Sequence, residues 1–123
     1  MISLRKVTVS AMIGFATLLG IQMAEYDVNS ALQAYNFSDP ANRKTWELIF
    51  GNTQNGINVA NSVLFYRKQQ PLYCPPESLA PTGPGALQLL REIVSSNPKL
   101  GNVPYGFALL LALQSKYPCT KSQ

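Results

Sequence analysis

Six carboxylates and two cysteines are the side chains of this 123-residue chain that could do chemistry, and histidine is absent. Without histidine the chain lacks the usual general base, the commonest zinc ligand and the partner that activates a nucleophilic serine or cysteine. No two carboxylates have the spacing that would place them on one helix face. We therefore expect no enzyme activity, no catalytic residue, no metal site and no cofactor. The six carboxylates are Glu25, Asp27, Asp39, Glu47, Glu77 and Glu92.

Cys74 and Cys119 form an even pair, and neither belongs to a Cys-x-x-Cys motif. A catalytic cysteine needs a neighbouring base, and the usual one is missing here. A disulfide is the alternative that fits an exported chain, because free thiols do not persist in an oxidising compartment. We expect a Cys74–Cys119 bond, which in the entropy model would stabilise the domain by about 4 kcal/mol.

The first 24 residues have the pattern of a secretory signal peptide. Arg5 and Lys6 precede an uncharged, mostly apolar run over residues 7–21, which is short for a bilayer span of about 20 apolar residues. Cleavage after Ala24 would leave residues 25–123 as one domain. An uncleaved membrane anchor and a buried amino-terminal helix are the alternatives. We expect an exported protein with no stable membrane span.

The formal net charge of +4 raises the question of a nucleic-acid partner. Removal of Arg5 and Lys6 with the signal peptide lowers that charge to +2. The pairs Arg43-Lys44 and Arg67-Lys68 remain isolated, whereas phosphate binding takes several positive contacts. The segment Gly83-Pro84-Gly85 lacks both a preceding strand and the lysine of a phosphate-binding loop. We expect no nucleic-acid partner and interpret the basic pairs as solvated helix faces.

Apolar side chains recur at a spacing near 3.6 residues, which predicts helices rather than strands. A short helix is expected over residues 26–35, and Ser38 or Asp39 caps a second, long helix over residues 41–66. The apolar residues predicted to form the buried face of the long helix are Trp46, Ile49, Phe50, Ile57, Val59, Ala60, Val63 and Leu64.

Gly51 and Gly56 weaken the middle of the long helix by about 1 kcal/mol each relative to alanine. Either these glycines permit close packing of a neighbouring helix or they divide the long helix into two. The sequence pattern leaves both alternatives open.

A proline-rich connector over residues 71–85 separates the long helix from the rest of the chain. Thr82 is expected to cap a third helix over residues 83–96, and Asn102 to cap a last helix that ends before Pro118. The fold class is therefore predicted to be all-α, a compact bundle of about four to five helices with one disulfide. The apolar residues of the last two helices are Leu87, Leu90, Ile93, Val94, Phe107, Leu110, Leu111 and Leu113.

A polar and aromatic patch is predicted beside the connector, where the tyrosines Tyr66 and Tyr73 lie near Arg67, Lys68, Gln69 and Gln70. Tyrosine and arginine are typical anchors of protein interfaces. The alternative is ordinary surface decoration. This composition nevertheless makes the patch a candidate surface for a protein partner.

The carboxyl half of the chain, residues 66–119, carries four motifs in a fixed order. Cys74-Pro75-Pro76 comes first, and a helix follows with an apolar stripe over residues 86–94. Asn97-Pro98 ends that helix, and Tyr117-Pro118-Cys119 closes the set. In this order the motifs resemble the Rap/Tai family of type VI secretion immunity proteins. The amino half departs from the family pattern because it lacks a second cysteine pair.

The resemblance implies a small helical protein of the bacterial periplasm that binds and blocks a peptidoglycan amidase toxin. Many family members are dimers, so a homodimer is expected as well. Blocking would be steric, through residues 66–69 of the patch or through the loop of residues 97–102. An exported helical envelope protein, chaperone-like or structural and without a toxin partner, is the alternative. The candidate contacts in full are Tyr66, Arg67, Lys68, Gln69, Asn97, Lys99 and Asn102.

Overall fold

A computed structural model describes residues 26–76 and 81–120. The predicted signal peptide, residues 1–24, lies outside the described residues, as do Glu25 and Glu77. The described part holds four α-helices and no β-strand, so the all-α prediction is confirmed. The helices are α1 (Val28–Phe37), α2 (Pro40–Tyr66), α3 (Gly83–Ser96) and α4 (Tyr105–Lys116), with a 3-10 helix (Pro98–Asn102) between α3 and α4.

Side-chain caps start three of the helices. The Asp27 carboxylate accepts from Ser30 N at 2.7 Å and begins α1. Asp39, rather than Ser38, caps α2, and Thr82 caps α3 as expected. These caps satisfy backbone donors that the first turn of a helix leaves free.

The predicted cap at the start of the last helix is wrong. Asn102 is the final residue of the 3-10 helix, and α4 begins at Tyr105 after Pro104 without a side-chain cap. Backbone bonds replace that cap, because Tyr105 N donates to Tyr26 O at 3.0 Å. The start of α1 therefore holds the start of α4.

The long helix α2 is continuous through both of its inner glycines, over 27 residues and about 40 Å. A Cβ on Gly51 would lie 3.0 Å from the backbone nitrogen of Gly83, and a Cβ on Gly83 would overlap the backbone of Glu47. Gly51 of α2 and Gly83 of α3 therefore allow the start of α3 to pack against the middle of α2. Gly56 has open space where its Cβ would be, and it marks neither a break nor a contact.

The core lies where α2, α3 and α4 face one another. Phe50, Leu90, Leu109 and Leu113 are fully buried there. The rings of Tyr26, Trp46, Phe50 and Tyr105 follow one another at centroid distances of 5.6–5.7 Å. Burial of this apolar surface is the main stabilising contribution, at about 25 cal/mol per Å² removed from water.

Four apolar residues expected to face the core instead face outward. Val59 and Val63 of α2 and Phe107 of α4 are 57%, 43% and 52% exposed, and Ala60 of α2 is exposed as well. The buried side of α2 includes two amides, Gln54 and Asn61, at positions that continue the spacing of Phe50. Leu110, Leu111, Ile93 and Val94 are half-buried at the margin of the core.

The expected disulfide is present, and it joins Cys74 of the connector to Cys119 after α4. Cys74 N also donates to Tyr117 O at 2.8 Å, so the connector follows the end of α4. Among the described residues, no helix has the length and apolar character needed to cross a membrane.

Candidate protein-binding surface

The end of α2 has the hydrogen bonds of a Schellman cap. Lys68 N donates to Phe65 O at 3.0 Å, and Gln69 N donates to Leu64 O at 2.9 Å. This cap requires a left-handed residue, which is usually glycine. Lys68 takes that place with φ of 56°, a conformation that costs a residue with a Cβ about 1–2 kcal/mol. Backbone strain of this kind is found at functional sites.

The exposed residues at this end are Phe65, Tyr66, Arg67, Lys68 and Gln69, which we call the aromatic-basic end. Phe65 and Tyr66 are 72% and 85% exposed. The sequence has no carboxylate from Leu48 to Pro76, so the two cations have no acidic neighbour within that stretch of the chain. The surface thus combines two large apolar rings with two positive charges.

Asn61 fixes the chain that follows the aromatic-basic end. Its amide nitrogen donates to Tyr73 O at 2.9 Å, and its oxygen accepts from Leu72 N at 2.6 Å. The prediction that Tyr73 belongs to the surface patch is wrong, because Tyr73 is buried and its hydroxyl donates to the side-chain oxygen of Asn58. Burial raises the pKa of Tyr73 to about 12. With the nearby Cys74–Cys119 bond, these contacts hold the turn after α2 in one place.

The second group of candidate contacts lies in the 3-10 segment. Asn97, Lys99 and Asn102 are all exposed there. Gly101 is buried against the side chain of Asn29, and Val28 N donates to Val103 O at 3.1 Å. The segment is therefore attached to the start of α1.

The structure does not bring the two groups of candidate contacts together. Phe50 in the middle of α2 serves as a reference point for both groups. The 3-10 segment lies near it, because Asn102 is three residues before Tyr105, whose ring centroid is 5.6 Å from that of Phe50. Tyr66 is far from it, because it lies 16 residues beyond Phe50, about 24 Å along the axis of α2. The two groups are separate surfaces, and only the aromatic-basic end combines exposed aromatic rings, positive charge and a strained backbone.

Sequence reasoning missed Phe65 as a member of this surface. It lies among apolar residues of α2, and its spacing from Asn61 is typical of a buried position. The sequence does contain one sign that Phe65 is exposed. The chain changes from uncharged to basic residues at Tyr66-Arg67-Lys68, which indicates that the last turn of α2, with Phe65, lies at the protein surface.

A second polar cluster joins α1, α2 and α3. The guanidinium carbons of Arg43 and Arg91 each lie 5.6 Å from the centroid of the Tyr35 ring. Arg43 also donates to Asn36 O at 2.9 Å, and the Tyr35 hydroxyl donates to Glu47 at 3.1 Å. The interpretation of Arg43 as a solvated charge is therefore incomplete, because its side chain on α2 also contacts Tyr35 and Asn36 of α1.

Two open grooves lie beside the cluster of Tyr35, Arg43 and Arg91. A groove of about 550 Å³ lies between α2 and the start of α3, lined by Lys44, Asn52, Asn55 and Pro84 among others. A groove of about 710 Å³ lies beside Tyr35, Arg91 and Ser95. Within the described residues, no three histidine, cysteine or acidic side chains are grouped so that they could hold a metal ion.

Comparison of the chain with protein-family models, with curated proteins and with solved structures found no match. The resemblance to the immunity proteins therefore rests on the motifs of the carboxyl half alone.

Proposed function

We propose that this protein is a periplasmic immunity protein that binds a peptidoglycan amidase toxin and blocks it sterically. The observation that carries the proposal is the exposure of Phe65 and Tyr66 next to Arg67 and Lys68 at the end of α2. The ordered motifs of the carboxyl half supply the class of partner. Export through the signal peptide and a structural disulfide are parts of the same proposal.

The aromatic-basic end has the composition of an interface hot spot. Aromatic residues and arginine are enriched among the residues that contribute most to binding free energy. Exposure of Phe65 and Tyr66 to water is unfavourable in the free protein, and a partner that covers both rings recovers that free energy. Binding also loses little conformational entropy, because Asn61 and the disulfide already order the turn.

The proposed mechanism is occlusion without chemistry. A helix of about 40 Å presents the two rings at its end, so they can enter a cleft that the rest of the domain does not fill. Arg67 and Lys68 would face carboxylates at the rim of that cleft, which increases the association rate by electrostatic attraction. Substrate could not reach the filled cleft.

The alternative function is that of an exported helical envelope protein, chaperone-like or structural, without a toxin partner. Exposed rings such as Phe65 and Phe107 also suit weak binding of many apolar segments. Selective, saturable binding of one hydrolase separates the first function from the second. A homodimer, as the resemblance implies, is compatible with either function.

The test is capture of a cell-wall hydrolase encoded beside this gene by the mature chain, residues 25–123. We expect the wild-type chain to retain the hydrolase and Tyr66→Ala with Arg67→Glu to lose it. Lys99→Glu is the matched control, since it changes a charge in the separate 3-10 segment and should still bind. Failure of the wild-type chain to retain the hydrolase would remove the immunity function, whereas loss only in Lys99→Glu would move the contact to the 3-10 segment.

A further inference from the structure

The charged side chains of the described residues are divided unequally between the two ends of α2. Of the seven described cations, three lie towards the carboxyl end of α2, namely Arg67, Lys68 and Lys116, and none of the described acids lies with them. The other four cations share the opposite end with all four described acids. These eight residues are Arg43, Lys44, Arg91 and Lys99 with Asp27, Asp39, Glu47 and Glu92.

Contacts place two of the acids at the start of α2 and one beside it. Asp39 caps α2, and Glu47 lies in its first turns. Asp27 adjoins Tyr26, whose ring centroid is 5.7 Å from that of Trp46 on α2. These three carboxylates therefore belong to the amino-terminal end of the long helix.

The fourth acid, Glu92 of α3, lies at the same end. It adjoins Arg91, whose guanidinium carbon is 5.6 Å from the centroid of the Tyr35 ring. The Tyr35 hydroxyl in turn donates to Glu47 at 3.1 Å. The four acids and their four cations thus leave this end of the domain close to neutral.

Lys116 adds a third cation near the aromatic-basic end, because α4 ends beside the chain that follows α2. Gln114 Nε2 donates to Leu72 O at 3.2 Å, and Lys116 is exposed two residues later in the last turn of α4. The next residue, Tyr117, accepts from Cys74 N at 2.8 Å. Leu72, 37% exposed, contributes further apolar surface here. We call the aromatic-basic end together with Leu72 and Lys116 the basic surface.

The described acids are too distant to neutralise the basic surface. Glu47, the last acid of α2, lies 20 residues before Arg67, about 30 Å along the helix axis. Salt screens exposed charges over about 8 Å at physiological ionic strength. The carboxyl ends of α2 and α4 each carry about half a negative charge from the helix dipole, which offsets about one of the three cations. A net positive charge therefore remains.

We propose that the basic surface binds the headgroups of an anionic lipid membrane. Its positive charge is complementary to such headgroups, and each Lys or Arg near an anionic bilayer increases partitioning by about fivefold. Phe65 and Tyr66, 72% and 85% exposed, suit the boundary between headgroups and acyl chains. Long basic side chains keep their charge among the headgroups while the rings enter that boundary.

This inference goes beyond the proposed function and does not depend on the toxin. Lipid and toxin would occupy the same end of the domain, so the partner that binds more tightly displaces the other.

The test is co-sedimentation of the mature chain, residues 25–123, with vesicles of phosphatidylcholine alone or mixed with phosphatidylglycerol. We expect at least tenfold tighter binding to the anionic vesicles, and this preference should decrease as salt is added. Lys68→Gln with Lys116→Gln should weaken the binding at least tenfold. Lys44→Gln with Lys99→Gln is the matched control, since it removes the same charge from the opposite end and should bind like the wild type.

Phe65→Ser with Tyr66→Ser tests the rings, because it leaves the charge unchanged and should also weaken the binding. All of the substituted positions are exposed, so circular dichroism should show an unchanged helical content. Lys116→Gln alone is a milder variant, expected to bind about fivefold more weakly.

The outcomes separate the inference from the proposed function. Equal binding of the wild type to both kinds of vesicle would overturn the inference, and so would an equal loss in the two double lysine variants. Capture of the hydrolase by a chain that does not bind anionic vesicles would overturn the inference and leave the proposed function standing. Preferential binding to anionic vesicles through the basic surface, without capture of the hydrolase, would support the inference and remove the immunity function.

Discussion

Asn61 holds the backbone of Tyr73 across the turn that follows α2, with its amide nitrogen 2.9 Å from the Tyr73 carbonyl oxygen. The same side chain accepts from Leu72 N, so one buried amide satisfies groups on both residues. This pairing connects the end of α2 to the disulfide-bonded connector. The residues of the aromatic-basic end lie between Asn61 and Tyr73 in the sequence, so these hydrogen bonds help to fix their position.

Replacement of Asn61 by alanine should lower the free energy of unfolding by about 2 kcal/mol or more. Each buried backbone group left without a partner costs about 1–3 kcal/mol. Urea denaturation measures the change, and Asn55→Ala, at an exposed position of the same helix, should have little effect. Equal midpoints for the two variants would show that Asn61 does not hold the turn.

Lys68→Gly should stabilise the protein and weaken partner binding. Glycine adopts the left-handed conformation without the steric cost that a Cβ brings, so the gain is about 1 kcal/mol. Loss of the Lys68 charge should reduce the association rate with an acidic partner. Lys99→Gly is the control, and it should produce neither the gain in stability nor the loss of binding. A destabilised Lys68→Gly variant would contradict the strained cap.

Tyr73 should ionise late in an alkaline titration. Its pKa is raised from 10.0 to about 12 in the folded protein by burial, so the folded state favours the neutral phenol. The stabilisation from Tyr73 is complete below pH 10 and is lost as the pH rises through about 12. Absorbance at 295 nm measures the titration, and the late component should disappear in Tyr73→Phe. An unchanged late component in that variant would assign it to another tyrosine.

Loss of the Cys74–Cys119 bond should reduce stability by up to about 4 kcal/mol, because the bond joins residues that are 45 positions apart in the sequence. A Cys74→Ser, Cys119→Ser variant should unfold at a lower urea concentration than the oxidised protein. Mass spectrometry of unreduced protein should show two hydrogens fewer than the dithiol form. Two free thiols in periplasm-derived protein would contradict both the bond and export to an oxidising compartment.

Much of the fold follows from local sequence rules. Asp39 and Thr82 are residue types that cap helices, and each is followed by a proline in the first turn of its helix. Their capping roles were therefore predictable. The cysteine pair was predictable from number and context. Asn102 has the residue type of a helix cap, but α4 begins instead where Tyr105 N pairs with the carbonyl oxygen of Tyr26, which is distant in sequence.

The orientation of α2 was harder to predict for a physical reason. Periodicity identifies a buried side by contrast with a charged side, and no charge occurs between Leu48 and Tyr66. The apolar pattern therefore predicts Val59, Ala60 and Val63 in the core, whereas Gln54 and Asn61 occupy it. Asn61 is buried because it binds backbone groups of a distant segment, and a hydrophobicity pattern does not contain that information.

The candidate site was predictable in composition but not in geometry. Tyr66, Arg67, Lys68 and Gln69 follow from the types of residue at the end of a long helix. The positive φ of Lys68 does not, since glycine is the residue that normally indicates such a cap. Its strain is visible only in the structure.

The central claim is that the aromatic-basic end blocks a cell-wall amidase. The direct measurement is the rate at which a peptidoglycan amidase degrades purified peptidoglycan, with increasing amounts of the mature chain. Any amidase encoded beside this gene is the first one to assay. We predict inhibition that is complete near one binding site per hydrolase, is lost in Tyr66→Ala with Arg67→Glu, and is retained in Lys99→Glu. An undiminished rate of degradation in the presence of excess wild-type chain would contradict the claim.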